Sequence, residues 1–205
     1  MTRPPHIALP TLGALACALA LHAALATAAD FTVRPGGENK VVFRSRATMD
    51  SFEGKTKKLA GRLTLDPAAL GDSIGVHLEV DMASLDTGIA KRNQHMRNDH
   101  LQTDRYPLAI FDGASIRGPA AARLDAGQPV SFEVEGTFKL HGISRRIHFT
   151  IDASYSPAAG GGRIAFHTVF PVSLSDYGIS RPEFLFMRLA EVQQVTVSGV
   201  AIAAP

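Results

Sequence analysis

Apolar and polar residues alternate with a period close to two through most of the chain beyond residue 30, which predicts β-strands. Ile74, Val76, Leu78, Val80 and Met82 take turns with Gly75, His77, Glu79 and Asp81. Val130, Phe132, Val134, Gly136, Phe138 and Leu140 alternate with Ser131, Glu133, Glu135, Thr137 and Lys139. The same pattern runs from Ile143 to Tyr155, with Arg145 breaking it near the start, and again from Ile164 to Leu174. Shorter strands are predicted at Lys40 to Ala47, Ala60 to Leu65, Leu108 to Ile116 and Val192 to Ile202.

Turn chemistry fits these elements. His141-Gly142 lies between two strong strands and predicts a tight hairpin, and Pro157 to Gly162 reads as a Gly/Ala-rich loop. Asp66-Pro67 and Gly118-Pro119 mark further breaks. Only Ile89 to Leu101 is clearly helical in pattern, and it is polar over most of its surface; Glu183 to Arg188 reads as one helical turn or a loop.

About eight antiparallel strands with one apolar and one polar face need a sandwiched or closed arrangement. A barrel also removes exposed edges. The expected fold is therefore mainly β: an antiparallel barrel of about eight strands with a short helical crossover. An eight-stranded barrel has room inside for side chains or for one ligand. The apolar alternation is the same in both cases, so a filled core and an elongated cavity both stay open.

The amino terminus has a different character. Arg3 and His6 precede an Ala/Leu-dominated run from Ile7 to Leu25, and Ala26-Thr27-Ala28 follows as a small-residue cleavage pattern. Residues 1–29 are expected to be a cleaved export signal and 30–205 the barrel domain, placing the protein in the periplasm without a stable membrane anchor. The single cysteine, Cys17, lies inside the apolar run with Ala14 three positions before it, which argues against lipid attachment. The remaining chain then has no thiol or disulfide chemistry. Its roughly 175 residues suffice for one domain held by an apolar core.

Charge is nearly balanced, 21 Lys+Arg against 19 Asp+Glu. No basic face of the kind nucleic acid requires is evident, and Lys55 to Lys58 reads as a solvated loop.

Several motifs, in order, resemble one family. They are Ser51-Phe52-Glu53-Gly54 as an early aromatic-x-Gly turn, Val80-Asp81 through Leu85-Asp86-Thr87-Gly88 as a strand-to-helix passage, and Arg92, His95, Met96 and Arg97 in the helix. Tyr106-Pro107 with Phe111, Gly136 to Gly142, and Asp176-Tyr177-Gly178 complete the set. Together they are similar to the YceI-like family of small bacterial, often periplasmic proteins with a lipocalin-like barrel that binds polyisoprenoid chains. The resemblance spans nearly the whole chain beyond residue 30. Departures fall at Asn93, at Asn98 to Gln102 and at Arg181 to Met187.

The resemblance implies non-catalytic binding, storage or transport of an amphiphilic isoprenoid or quinone-like lipid, with no cofactor. A homodimer stays among the expected assemblies. The expected lining is Val80, Phe111, Phe132, Val134, Phe138, Phe149, Phe166 and Phe170; an ordinary packed core would use the same residues. Arg92 and His95 lie three apart on one helix face and are expected near a polar head group, with Arg92 offering planar hydrogen-bond donors. The competing structural role pairs Arg92 with Asp81, Asp86 or Asp104.

Two other classes stay open. His95, Asp99, His100 and Asp104 cluster in sequence and could serve a metal-dependent enzyme acting on a small lipid, although no His-Glu-x-x-His pattern is present. Phe184 to Met187 could be a contact patch of an envelope stress-response partner, or could seal one barrel end. His141 and His148 read as turn and surface residues. Ser173 and Ser175 lack a nucleophile elbow, and Gly160 to Gly162 lacks the helix start of a phosphate loop.

Overall fold

The computed structural model describes residues 28–46, 51–71, 73–117, 123–124, 126–181, 183–184 and 187–204. The apolar run from Ile7 to Leu25, the Gly118-Pro119 break and the side chains from Phe184 to Met187 lie outside them.

The strands among these residues are β1 (Ala29–Val33), β2 (Lys40–Arg46), β3 (Ser51–Thr56), β4 (Leu59–Leu65), β5 (Ser73–Asp81) and β6 (Leu108–Arg117). They continue with β7 (Val130–Leu140), β8 (Ile143–Ser156), β9 (Arg163–Ser173), β10 (Glu183–Phe184), β11 (Met187–Arg188) and β12 (Val192–Ala203). One antiparallel sheet runs β1-β4-β5-β6-β7-β8-β9-β12-β2-β3, and a further β1–β12 pairing closes it into a barrel.

The barrel has eight strand positions because two of them are split. β12 pairs with β2 through residues 194–198 and with β1 through 201–203, so β1 and β2 are successive halves of one barrel strand. β4 beside β1 and β3 beside β2 are the halves of the next. At the first split Asn39 replaces the missing ladder. Its Nδ2 donates to Arg34 O at 2.7 Å and its Oδ1 accepts from Val200 N–H at 2.9 Å, the β12 donor between the two paired stretches. A buried donor is thereby satisfied where the strand is interrupted.

All eight strands expected from alternation are present. β1 and β3 are additional, and Ser51 to Gly54 lies in β3 rather than in a turn. Gly54 belongs there because the Phe43 ring lies across it; a Cβ would collide with that ring. Lys55 also sits in this strand, exchanging backbone hydrogen bonds with Asp86 at 2.9 and 3.0 Å. Glu183–Phe184 and Met187–Arg188 pair as a two-stranded ribbon, not as a helical turn. Arg181 donates from Nε and Nη2 to Leu189 O at 3.0 and 2.6 Å, which draws the ribbon's two ends together.

The β7–β8 hairpin closes through His141 (φ 50°) and Gly142 (φ 78°), two successive left-handed residues. That is the two-residue turn whose twist matches a hairpin. His141 Nδ1 lies 3.0 Å from Tyr177 O and ties the hairpin to the Ser175–Tyr177 helical turn.

The helical crossover contains α1 (Ala90–His95), which passes directly into a π-helical turn at Met96–His100. Leu101 N–H donates to Met96 O at 2.8 Å, closing the wider ring. The interior has two apolar clusters. A lower one centres on Phe31, Leu63, Phe132, Val134, Ile164 and Phe166. An upper one beneath the crossover centres on Met82, Leu85, Phe170, Val172, Leu174 and Tyr177.

Candidate functional site

The interior is not solidly filled. A cavity of about 690 Å³ occupies the upper half, and a smaller one of about 100 Å³ lies in the lower half. Val80, Ala109, Phe138, Phe170 and Val197 line both, so the two spaces share a wall. The aromatic part of that wall is tightly arranged. Phe149 stacks on Phe170 at 4.9 Å, and Phe138 meets Phe170 edge-on at 5.9 Å. Phe111 leans on Phe149 at 5.2 Å and Tyr177 on Phe138 at 5.6 Å. Burial holds the Tyr177 phenol above its ordinary pKa, with the Asp176 charge adding to the rise.

The upper cavity's sides come from strand positions of a single parity. Val41, Phe43 and Ser45 enter from β2, Phe138 and Leu140 from β7, Phe170 and Val172 from β9, and Gln193, Val195 and Val197 from β12. α1 and the π turn lie along its mouth through Lys91, Arg92, His95, Met96 and His100. Among the residues expected to line a ligand site, Val80, Arg92, His95, Phe138 and Phe170 border this larger space. Phe111, Phe132, Val134, Phe149 and Phe166 border only the smaller one. Phe132, Val134 and Phe166 are 9%, 2% and 6% exposed and belong mainly to the packed lower core.

A polar network fixes the crossover over the mouth. Arg92 donates from Nε to Thr87 Oγ1 at 2.8 Å and from Nη2 to Thr87 O at 2.7 Å, and its guanidinium lies 4.3 Å from the Phe52 ring centroid. Its partners are thus a threonine and an aromatic ring, not Asp81, Asp86 or Asp104. Asn93 Oδ1 accepts from Thr87 N–H and Thr87 Oγ1 at 2.8 and 2.7 Å, while Asn93 Nδ2 donates to Asp86 Oδ1 at 2.7 Å. That bond, with the one from Gly88 N–H, holds the Asp86 carboxyl below its ordinary pKa. Arg97 Nη2 donates to Leu85 O at 2.8 Å. An acidic residue at position 93 could not supply the donor that Asp86 uses.

The two histidines of the crossover have different partners. His95 Nδ1 lies 3.1 Å from Asp99 Oδ2, and His100 Nδ1 lies 3.0 Å from Ser180 O. Among the described residues no group of three His, Cys, Asp or Glu could hold a metal ion. Ser173 and Ser175 bond Glu191, whose carboxyl is held below its ordinary pKa chiefly by the Ser175 N–H. No helix among the described residues is long and apolar enough to cross a membrane.

Much of this wall was not expected from the sequence, including Val41, Phe43, Leu140 and Val195 and two buried polar side chains. Ser45 and Gln193 are 0% and 7% exposed, and among the described residues Ser45 Oγ and Gln193 Oε1 have no hydrogen-bond partner. Their parity was legible, because Ser45 follows Phe43 by two and Gln193 precedes Val195 by two on inward-facing rows.

Comparison with other proteins agrees with this architecture. UPF0312 proteins of Pseudomonas savastanoi pv. phaseolicola and Vibrio cholerae are each 30% identical, over 178 and 161 residues. The first alignment covers 84% of this chain and 88% of its relative; the second covers 75% and 79%. Among solved structures, a polyisoprenoid-binding domain from Saccharophagus degradans superposes with a TM-score of 0.65 at 20% identity, covering 87% of this chain and all of that one. BcnA of Burkholderia cenocepacia gives 0.62 at 21% identity, covering 80% and 96%. The YceI-like domain matches residues 31–201, from within β1 to within β12, and the chain belongs to the YceI-like family.

Proposed function

We propose that this protein binds, stores or transports an amphiphilic polyisoprenoid or quinone-like lipid in the periplasm, without chemical change to it. The observation that carries this is the upper cavity, about 690 Å³ of apolar-walled space inside a barrel whose mouth carries a polar helix. Its size falls within the range of about 300–1,000 Å³ typical of small-molecule sites. An apolar tail moved there from water gains roughly 25 cal/mol per Å² of area buried. The polar head lies at the mouth, within reach of the α1 side. The Saccharophagus degradans domain of similar fold is a polyisoprenoid-binding domain, which supports the same ligand class here. The Ala/Leu run followed by Ala26-Thr27-Ala28 supports export.

Entry and release then require α1, or the segment from Ser175 to Met187, to move. Hydrogen exchange as slow in both segments as in β7 and β8 would refute that route. The binding itself is tested by native mass spectrometry on protein exported to a bacterial periplasm, followed by lipid extraction. An extra mass identified as a prenyl lipid or quinone is the expected result. A clean apo mass, unchanged after incubation with prenyl lipids, overturns the proposal. Fractionation of the producing cells tests the compartment.

A further inference from the structure

Ser45 and Gln193 stand out because the other strand residues that line the upper cavity are apolar. The β2–β12 ladder runs as far as Gln194 opposite Arg44, and Gln193 and Ser45 are the next residues on the two strands. On the other side Ser45 is paired with Phe52 of β3, and Gln193 with Val172 of β9. All four border the upper cavity and form one lateral row across its wall.

Buried polar atoms are nearly always hydrogen-bonded, and leaving one unpaired is unfavourable. Here two such atoms share one row. The orientation of the Gln193 amide is fixed, because its Nε2 donates to Ala190 O at 2.6 Å. What remains for an occupant is the Oε1, an acceptor that cannot donate. The Ser45 hydroxyl can donate or accept.

We infer that Ser45 and Gln193 form a neutral subsite for the hydroxyl group of the bound lipid, so that the protein selects an alcohol or a phenol over acceptor-only head groups. This rests on the lipid-binding reading above. A hydroxyl satisfies both atoms at once: its O–H donates to Gln193 Oε1 and its oxygen accepts from Ser45 Oγ–H. An ether or a quinone carbonyl satisfies Ser45 and leaves Gln193 Oε1 unpaired. A phosphate oxygen also sets a negative charge against that acceptor. Arg92 does not contradict the choice, since its Nε and Nη2 are engaged by Thr87 and its face by Phe52.

The experiment measures binding of farnesol, farnesyl methyl ether and farnesyl monophosphate to the wild-type protein and to Ser45→Ala and Gln193→Leu. Farnesol is expected to bind about tenfold more tightly than the ether, the effect of one buried acceptor left unpaired. In Gln193→Leu the ratio falls to about one, and in Ser45→Ala the affinity for both probes drops. Ser45→Ala keeps the test available if Gln193→Leu fails to fold, because it removes an unpaired buried hydroxyl and leaves the melting temperature unchanged or higher. Equal binding of farnesol and its ether to the wild-type protein overturns the subsite but leaves the lipid-binding reading standing. So does a preference that survives both substitutions, or tightest binding of the monophosphate. Failure of all three probes to bind overturns both.

Discussion

The rings of Phe149 and Phe170 stack with centroids 4.9 Å apart and planes 18° from parallel, and with Phe138 they stand between the two cavities. On the proposed lipid-binding function, this contact limits how far a tail can descend from the upper space. Phe170→Ala removes one of the two rings that border both cavities and is expected to join them. The variant is expected to accept prenyl alcohols one or more isoprene units longer than the wild type does, in a chain-length series read by native mass spectrometry. Deleting a buried phenylalanine costs about 3–5 kcal/mol, so the denaturation midpoint should fall at the same time. An unchanged chain-length limit in a folded variant would mean that the wall is set by other residues.

Arg92 holds the crossover rather than an acidic partner, and its contribution is one of shape as well as charge. Two hydrogen bonds to Thr87 and the face of Phe52 require a planar, forked cation. Arg92→Ala is expected to lower stability by about 1–3 kcal/mol and to speed ligand release, with the barrel's far-UV spectrum retained. Arg92→Lys keeps the charge and should behave closer to Ala than to wild type. Wild-type release rates in Arg92→Lys would show that charge alone suffices. Loss of folding in Arg92→Ala would place Arg92 in the scaffold.

The sheet was legible in the sequence wherever alternation ran for six residues or more, as in β7, β8 and β9. β1 and β3 were not legible, because β1 has only five residues and the inward positions of β3 are Phe52, Gly54 and Thr56, of which one alone is a large apolar side chain. β3 is also read against its type by Gly54, whose role depends on Phe43 from another strand. The site was legible only in part. Parity told which residues point inward, but a packed wall and a cavity wall have the same parity. Val134 and Phe138 sit four apart on β7, yet Val134 belongs to the lower core and Phe138 also borders the upper cavity. Ser45 and Gln193 were missed because polar residues on an inward row carry no signal until the neighbours that fail to satisfy them are known. The Arg92–Thr87 pairing was hidden for a similar reason: a threonine competes poorly with nearby aspartates when only charge is counted.

Gly136 lies where β6 bulges, with the register shifting between Asp112 and Ser115. A Cβ at position 136 would collide with the Gly113 carbonyl oxygen and with the Phe111 ring. Because one obstacle is backbone, side-chain rotation cannot relieve it. Gly136→Ala is expected to cost about 3 kcal/mol, the upper end of ordinary overpacking, measured by urea denaturation. A loss of less than about 1 kcal/mol would mean that the bulge yields.

On the outer face, His77 Nδ1 lies 2.6 Å from Asp112 Oδ1, and its Nε2 lies 3.8 Å from Glu79 Oε2. The hydrogen bond to Asp112 is the main cause that raises the His77 pKa above 6.5; partial burial opposes it, and the charges of Asp112 and Glu79 reinforce it. A raised folded-state value means that the native protein holds this proton more tightly than the unfolded chain does. The resulting stabilisation is therefore complete below 6.5, the ordinary histidine value, and is lost as pH rises through the raised one. The pair is half exposed, so salt screens it and the effect is small. Melting temperatures of wild type and His77→Gln, taken between about pH 5 and 9 at low and high salt, check this. The difference between the two proteins should be largest at the acid end, shrink towards neutral pH and above, and diminish in high salt. A difference that grows with pH would reverse the sign and rule out protonated His77 as the stabilising species.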